Sequence, residues 1–316
     1  VIVAFLFGDY FTEQSHQPIW IWVLLVVGID VSHVWSTLYK TYLHQKESSR
    51  LHRIFFFIPV IVLVSGILIH TFSAIFFWTL LAYLAVFHFI RQQYGFMRLY
   101  SRNETQAFYS KFIDGLMIYS ATVYPIIYWH THPRNFHWFM EGDFILGLPT
   151  LIDPYVLFLY VAICTLYIFK ELLILKTTRS FNLSKNLLVL GTAISWYVGI
   201  VLFNGDFTFT VTNIIAHGIP YLALIWAWGK GNNSRIINLK GAVIPFLGLI
   251  LLLAYLEEGL WAGFVWREHL EFFGWSKSLP EITDKKLLSF LVPLLTLPQA
   301  THYILDGFIW KNFDKK

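Results

Sequence analysis

Apolar residues in this chain come in long runs, not in an alternation. Nine stretches, 19–39, 54–70, 74–97, 112–129, 151–175, 186–203, 208–229, 241–265 and 287–310, are apolar enough to be read as membrane spans. A helix of about 20 apolar residues crosses a ~30 Å hydrocarbon core. The polar-in, apolar-out period of an outer-membrane barrel is absent. The pattern predicts an all-α fold, a polytopic helical bundle integral to the membrane, with about nine transmembrane helices. It reads as a single transmembrane domain over 1–316, with an outer His-rich loop at 130–150 and an outer polar insert at 266–286.

Composition agrees. Of 316 residues, 57% are hydrophobic and only 13% charged, against about 25% charged in a soluble domain. Mean hydropathy is +0.59. The lone Cys164 sits in an apolar run, which excludes a disulfide framework and a cysteine metal site. The chain begins at Val1, so upstream residues are expected to be missing, and no cleavable signal peptide is visible.

The charge is informative by position. Connectors 40–53, 91–111, 170–185, 230–240 and the tail 311–316 hold 18 Lys/Arg, and those on the other side hold five, Arg134, Arg267, Lys277, Lys285 and Lys286. Lys/Arg bias marks the cytoplasmic side, which predicts an N-terminus outside and a C-terminus in the cytoplasm, in a bacterial inner membrane. Trp20, Trp22, Tyr100, Trp129, Trp228 and Trp310 near span ends fit an aromatic belt.

With orientation set, depth can be counted. His33, His88, His217 and His302 fall about 6 to 12 residues from the cytoplasmic ends of four spans, roughly 9–18 Å deep at 1.5 Å per residue. Ionisable groups at that depth cost about 2.5 kcal/mol or more each, so they need partners or a function. Each imidazole has a polar neighbour one turn away: Asp30, Gln92, Asn213 and Asp306 in turn. Ligating imidazoles usually give their second nitrogen to such a group. The four therefore read as one metal site, with Asn213 in support and Asp30, Gln92 and Asp306 as candidate catalytic groups. Nitrogen-rich ligation suits iron, zinc, copper or nickel over magnesium or calcium. The plainer alternative makes each histidine a separate interhelix hydrogen-bond post, and no short motif such as HExxH is present.

Other polar groups are weaker candidates. The loop from Trp129 to Asp143 carries His130, His132, His137, Glu141 and Asp143. His132, His137 and Glu141 would add ligands, and make the centre dinuclear, if the loop re-entered the membrane. An interfacial loop far from the four histidines is the blander reading. Glu257 and Glu258 lie in the eighth span, toward its outer half, and at least one should face the interior, as a proton-relay member, a further metal ligand (Glu257) or a partner of an outer-loop cation. Asp114 and Glu171 read as anchors at the cytoplasmic interface. His16, His44, His52 and His269 read as surface groups.

Four windows together resemble the Brp/Blh family of membrane β-carotene dioxygenases: Gly28-Ile-Asp-Val-Ser-His33, Phe87-His88-Phe89, Ala216-His217-Gly218, and Leu295-Thr-Leu-Pro298 with His302, Asp306 and Lys311. They cover about a sixth of the chain. Asp30-Val-Ser-His33 stands where the family has Gly-Leu-Pro-His-Gly, and the last histidine lies four residues after Pro298 instead of beside it. The resemblance implies a four-histidine Fe2+ centre in a helical bundle, using O2 on an apolar lipid- or carotenoid-like substrate. These departures leave the substrate itself open.

The residues alone leave other functions standing. Zinc on the same ligands would make a lipid hydrolase, with Asp30, Asp306 or a Glu as base. Facing histidine pairs would suit a haem electron carrier. A transporter is disfavoured by the lack of repeated halves. Expected partners are a hydrophobic small molecule, O2 and membrane lipids, with a redox partner unspecified and nucleic acid excluded.

Overall fold

In hydrocarbon the backbone must satisfy its own polar groups, and a helix does so within one segment. The computed structural model describes residues 1–13, 18–43, 49–104, 108–231 and 242–310. The long elements among them are all helices: α1 (Ile2–Glu13), α2 (Ile19–Tyr39), α3 (Ser49–Phe72), α4 (Ala74–Tyr100), α5 (Phe108–Thr131), α6 (Asp153–Thr178), α7 (Leu183–Leu202), α8 (Asp206–Gly231), α9 (Val243–Trp266), α10 (Lys285–Leu295) and α11 (Leu297–Ile309). His16, His44 and Lys311 lie outside the described residues.

Seven helices, α2, α3, α4, α6, α7, α8 and α9, are long and apolar enough to cross a bilayer, which makes this an integral membrane protein. The span expected at 287–310 is broken: α10 and α11 meet at 41°. Pro293 lies near the end of α10 and Pro298 opens α11, where a missing N–H is least costly. The span expected at 112–129 is inside α5, which has the length but a lower hydropathy. The described residues thus hold seven such helices, or eight with the bent pair.

By contacts the chain divides into two compact units, Val1–His16 with Val86–His217, and Gln17–Ala85 with Gly218–Lys316. The division runs through the interiors of α4 and α8, and both helices continue unbroken across it. Large apolar side chains on the outer helices are exposed, Phe56, Ile61 and Leu68 on α3 and Phe158, Phe169 and Leu172 on α6 among them. Lipid is as apolar as these side chains, so helix contacts rest on close packing and hydrogen bonds.

In the first unit, Met97, Met117, Ile118, Ala121, Ile163, Tyr167 and Val189 form the apolar core of α4, α5, α6 and α7. Beside it lies a buried ionic network that corrects the interface-anchor reading of Asp114 and Glu171. Lys170 pairs with Asp114, and with Glu171 at 2.5 Å; Lys185 pairs with Glu171 at 2.7 Å and with Glu104 at 3.2 Å. Asn186 donates to Glu171 at 2.7 Å. The Asp114 side chain is fully buried and that of Lys185 is 1% exposed.

The loop after α5 is folded, not loose. Trp129 stacks on Phe144 with centroids 4.3 Å apart, and the N–H groups of Gly147 and Leu148 both donate to the His130 carbonyl at 3.1 Å. Gly147 has φ +96°, a conformation that side chains with a Cβ rarely adopt. Burial pushes the Asp143 carboxyl above its ordinary value, against the lowering pull of the Phe139 and Met140 N–H groups that it accepts from.

In the second unit, α2 changes its winding. Residues Val23–Val31 are π-helical, a widened turn that recurs at functional sites. Ser32 Oγ donates to the Val27 carbonyl five residues back, at 2.7 Å. Trp35 Nε1 donates to Glu257 Oε2 at 2.6 Å, which gives that intramembrane carboxyl its partner. Tyr39, Tyr221, Ile225, Phe246 and Ile250 pack α2, α8 and α9 together. Gly218 makes this possible: a Cβ there would lie 2.6 Å from Ile29 Cγ2.

Candidate metal centre

The four imidazoles form two pairs, each within one unit. In the second, the His33 ring on α2 and the His302 ring on α11 meet edge to face with centroids 5.0 Å apart. Tyr221, on α8, lies against both, at 5.9 and 5.1 Å. In the first unit, His88 on α4 and His217 on α8 meet in the same way, also at 5.0 Å. All four are 0–2% exposed. One ring nitrogen from each of His33, His88, His217 and His302 lies within 4.8 Å of the others, an arrangement able to hold a metal ion. Two nitrogens bound to one ion at ~2.1 Å stand at most about 4.2 Å apart, so the four have to draw in wherever a pair approaches the 4.8 Å limit.

The support around these rings is specific. His302 Nδ1 meets Thr37 Oγ1 at 2.7 Å, which leaves Nε2 as the ligand atom. Thr37 Oγ1 is also 3.1 Å from the Tyr221 hydroxyl. Tyr221 in turn hydrogen-bonds Asp306, whose Oδ1 accepts from Trp310 Nε1 at 2.7 Å. The direct partner of His302 in this chain of contacts is therefore a threonine 265 residues away. Asp306 stands at the far end. His33 Nδ1 lies 3.5 Å from Asp30 Oδ1, an ion-pair distance too long for a strong hydrogen bond.

His217 is held from two sides. Phe89 stacks flat on its ring, centroids 3.6 Å apart and planes 8° apart. Gln92 Nε2 donates to the His217 carbonyl at 3.0 Å, and Gln93 Nε2 to the Ala216 carbonyl at 3.2 Å. Gln92 thus clamps α4 to α8 with its nitrogen, while its buried Oε1 has no hydrogen-bond partner among the described residues. Asn213 Nδ2 donates to the Phe209 carbonyl at 2.9 Å, so its amide serves its own helix first.

The loop residues go elsewhere. His132 Nδ1 pairs with Asp153 Oδ2 at 3.1 Å and stacks on Tyr128. Neither His132 nor His137, Glu141 or Glu257 belongs to a group of three or more metal-ligand atoms among the described residues. The loop is nonetheless nearer the histidines than expected. Trp138 meets Phe89 at 5.3 Å, and Phe89 is the ring stacked on His217. Sequence reasoning missed Thr37, Phe89 and Tyr221. The only local sign was Phe89 directly after His88.

No family model, no curated protein and no solved structure matches this chain. The site therefore has to be read from its own chemistry. Four neutral nitrogen donors suit iron, zinc, copper or nickel.

Thr37→Val keeps the shape and removes the bond to His302 Nδ1. Metal affinity should fall about 10- to 100-fold, the usual effect of losing an outer partner. Competition with a metal-sensitive dye measures it, and unchanged affinity would make Thr37 a packing residue only.

Proposed function

We propose that this protein is a membrane-embedded, metal-dependent oxidative enzyme acting with O2 on a hydrophobic lipid- or carotenoid-like substrate. The observation that carries the reading is the mutual closeness of four buried imidazoles from α2, α4, α8 and α11. Their surroundings support it. The neighbours of the rings are aromatic, Phe89 and Tyr221 foremost, in keeping with an apolar substrate and an apolar gas.

Fe2+ is the metal proposed, and when bound it would supply O2 activation at open coordination positions. The chain does the rest. Thr37 fixes the tautomer of His302, Phe89 fixes the plane of His217, and Asp30, one turn from His33 and 3.5 Å from its Nδ1, is the acidic group beside that ring. Gln92 Oε1 is the polar group assigned to bound substrate or water, and Asp306 acts through Tyr221 and Thr37 on the His302 ring. A haem carrier is disfavoured, because a porphyrin would itself fill the equatorial positions around iron that four crowded imidazoles compete for. The order of the four windows, which resembles the Brp/Blh family, is a second line of support.

Elemental analysis of protein purified anaerobically after iron-replete expression tests the reading. About one iron per chain and O2 uptake with a hydrophobic substrate are expected. Zinc alone, with O2-independent turnover of a lipid ester or amide, would overturn it in favour of a hydrolase.

Nine crossings, with the N-terminus outside and the C-terminus in the cytoplasm of a bacterial inner membrane, belong to the same proposal. They count α5 and the bent pair as spans, and rest on the 18-to-5 Lys/Arg bias. Engineered cysteines at 102 and 277 should react with an impermeant thiol reagent from opposite faces of sealed vesicles. Reaction from one face sinks the topology.

A further inference from the structure

Four polar groups of the second unit stand in one row. His302 Nδ1 meets Thr37 Oγ1 at 2.7 Å, Thr37 Oγ1 lies 3.1 Å from the Tyr221 hydroxyl, and that hydroxyl bonds Asp306. Trp310 Nε1 closes the far end by donating to Asp306 Oδ1 at 2.7 Å, and it also reaches the Tyr221 oxygen. Tyr221 is fully buried, and Thr37 and His302 are 5% and 1% exposed. Water is kept from the middle of the row, and in such surroundings each bond polarises the next.

A row of this kind can run in either direction, and its ends decide which. Each hydroxyl has a single hydrogen to give, an indole N–H only donates, and an ionised carboxylate only accepts. With Asp306 ionised, Tyr221 gives its hydrogen to Asp306. Thr37 then gives its own to Tyr221. The hydrogen between Thr37 and His302 is therefore the one on Nδ1. Nε2 is left bare, which is the state a metal requires. Nothing nearer settles this, because the Thr37 hydroxyl by itself can donate to Nδ1 as well as accept from it.

We propose that Asp306 is a remote positioning residue whose negative charge sets the direction of the whole row, and so holds His302 in the tautomer that binds metal. A neutral group able to donate in its place turns the row round. In Asp306→Asn the Trp310 N–H keeps the amide oxygen, and the amide NH2 donates to Tyr221. Tyr221 then donates to Thr37, and Thr37 to Nδ1. The ring proton stands on Nε2 instead and blocks the ligand position. The inference rests on the metal-centre reading for its role, but the tautomer can be read without metal.

Nitrogen NMR of the metal-free full chain, labelled at histidine, reads the tautomer, with the His302 signals assigned by their loss in His302→Gln. The unsubstituted protein should carry the proton on Nδ1, and Asp306→Asn should carry it on Nε2. Tyr221→Phe cuts the row but keeps the ring that packs on His33 and His302. It frees the Thr37 hydrogen for Nδ1, so the pure Nδ1–H form should be lost, and adding Asp306→Asn should change nothing more. Metal affinity, by dye competition, should fall about 10- to 100-fold in Asp306→Asn, as for a lost outer partner, and the double variant should match Tyr221→Phe. An unchanged tautomer in Asp306→Asn, or in Tyr221→Phe where the first variant does not fold, would overturn the proposal. So would a full effect of Asp306→Asn on top of Tyr221→Phe. A tautomer that turns as expected in a protein that binds no metal sinks the metal reading alone. Metal bound with an unchanged tautomer in Asp306→Asn sinks this inference alone.

Discussion

His217→Ala should empty the metal site. Metal per chain, read by mass spectrometry after desalting, is expected to fall from about one to below a tenth, with affinity down by well over 100-fold. The size follows from position. Losing an outer partner costs about 10- to 100-fold, and His217 is one of only four nitrogens in the group. The loss should not reflect unfolding. The Gln92 and Gln93 bonds go to the carbonyls of His217 and Ala216, so they survive the substitution, and Phe89 loses only a stacking partner. His132→Ala is the control, because His132 pairs with Asp153 and should keep full metal content. Metal retained in His217→Ala, or lost in His132→Ala, would show that the ion sits elsewhere.

Lys185→Met should produce the largest loss of stability. Its ammonium is shared by Glu171 at 2.7 Å and Glu104 at 3.2 Å, with Asp114 at 3.8 Å. The network already holds three carboxylates against two ammonium groups. Removing one cation takes one ammonium from three carboxylates, of which Asp114 and Glu171 are buried, and breaking a buried ion pair costs about 3–5 kcal/mol. Unfolding by dodecyl sulfate titration, followed by circular dichroism, measures the loss. Lys185→Arg should recover part of it, since a guanidinium keeps the charge. A change below about 1 kcal/mol in Lys185→Met would mean that water reaches these groups. The metal content of the folded fraction should stay at one, because the network and the histidines occupy different parts of the chain.

Much of the architecture was legible in the apolar runs. All seven helices able to cross a bilayer fall on expected stretches, because a 20-residue apolar segment in lipid has no alternative to a helix. The grouping of the four histidines was legible too, since position along a helix is a one-dimensional count from its ends. Local signals failed where a residue could be satisfied in more than one way. Asp114 and Glu171 sit near helix ends, where solvent access and burial read alike, and only the meeting of α5, α6 and α7 put them inside. The polar neighbours followed the same rule. Asp306, one turn from His302, was the local choice, but its Oδ1 serves Trp310 and Thr37 holds the ring.

The sequence by itself determined an all-helical membrane protein and four histidines that belong together, because burial cost and helix rise act residue by residue along one chain. Tertiary structure alone decided which rings touch, that α10 and α11 bend at 41°, that the loop after α5 sends Trp138 to Phe89, and that a cavity lies beside His302. Those are properties of helix rotation and crossing. They depend on packing between residues hundreds of positions apart, where one glycine such as Gly218 sets the distance of approach.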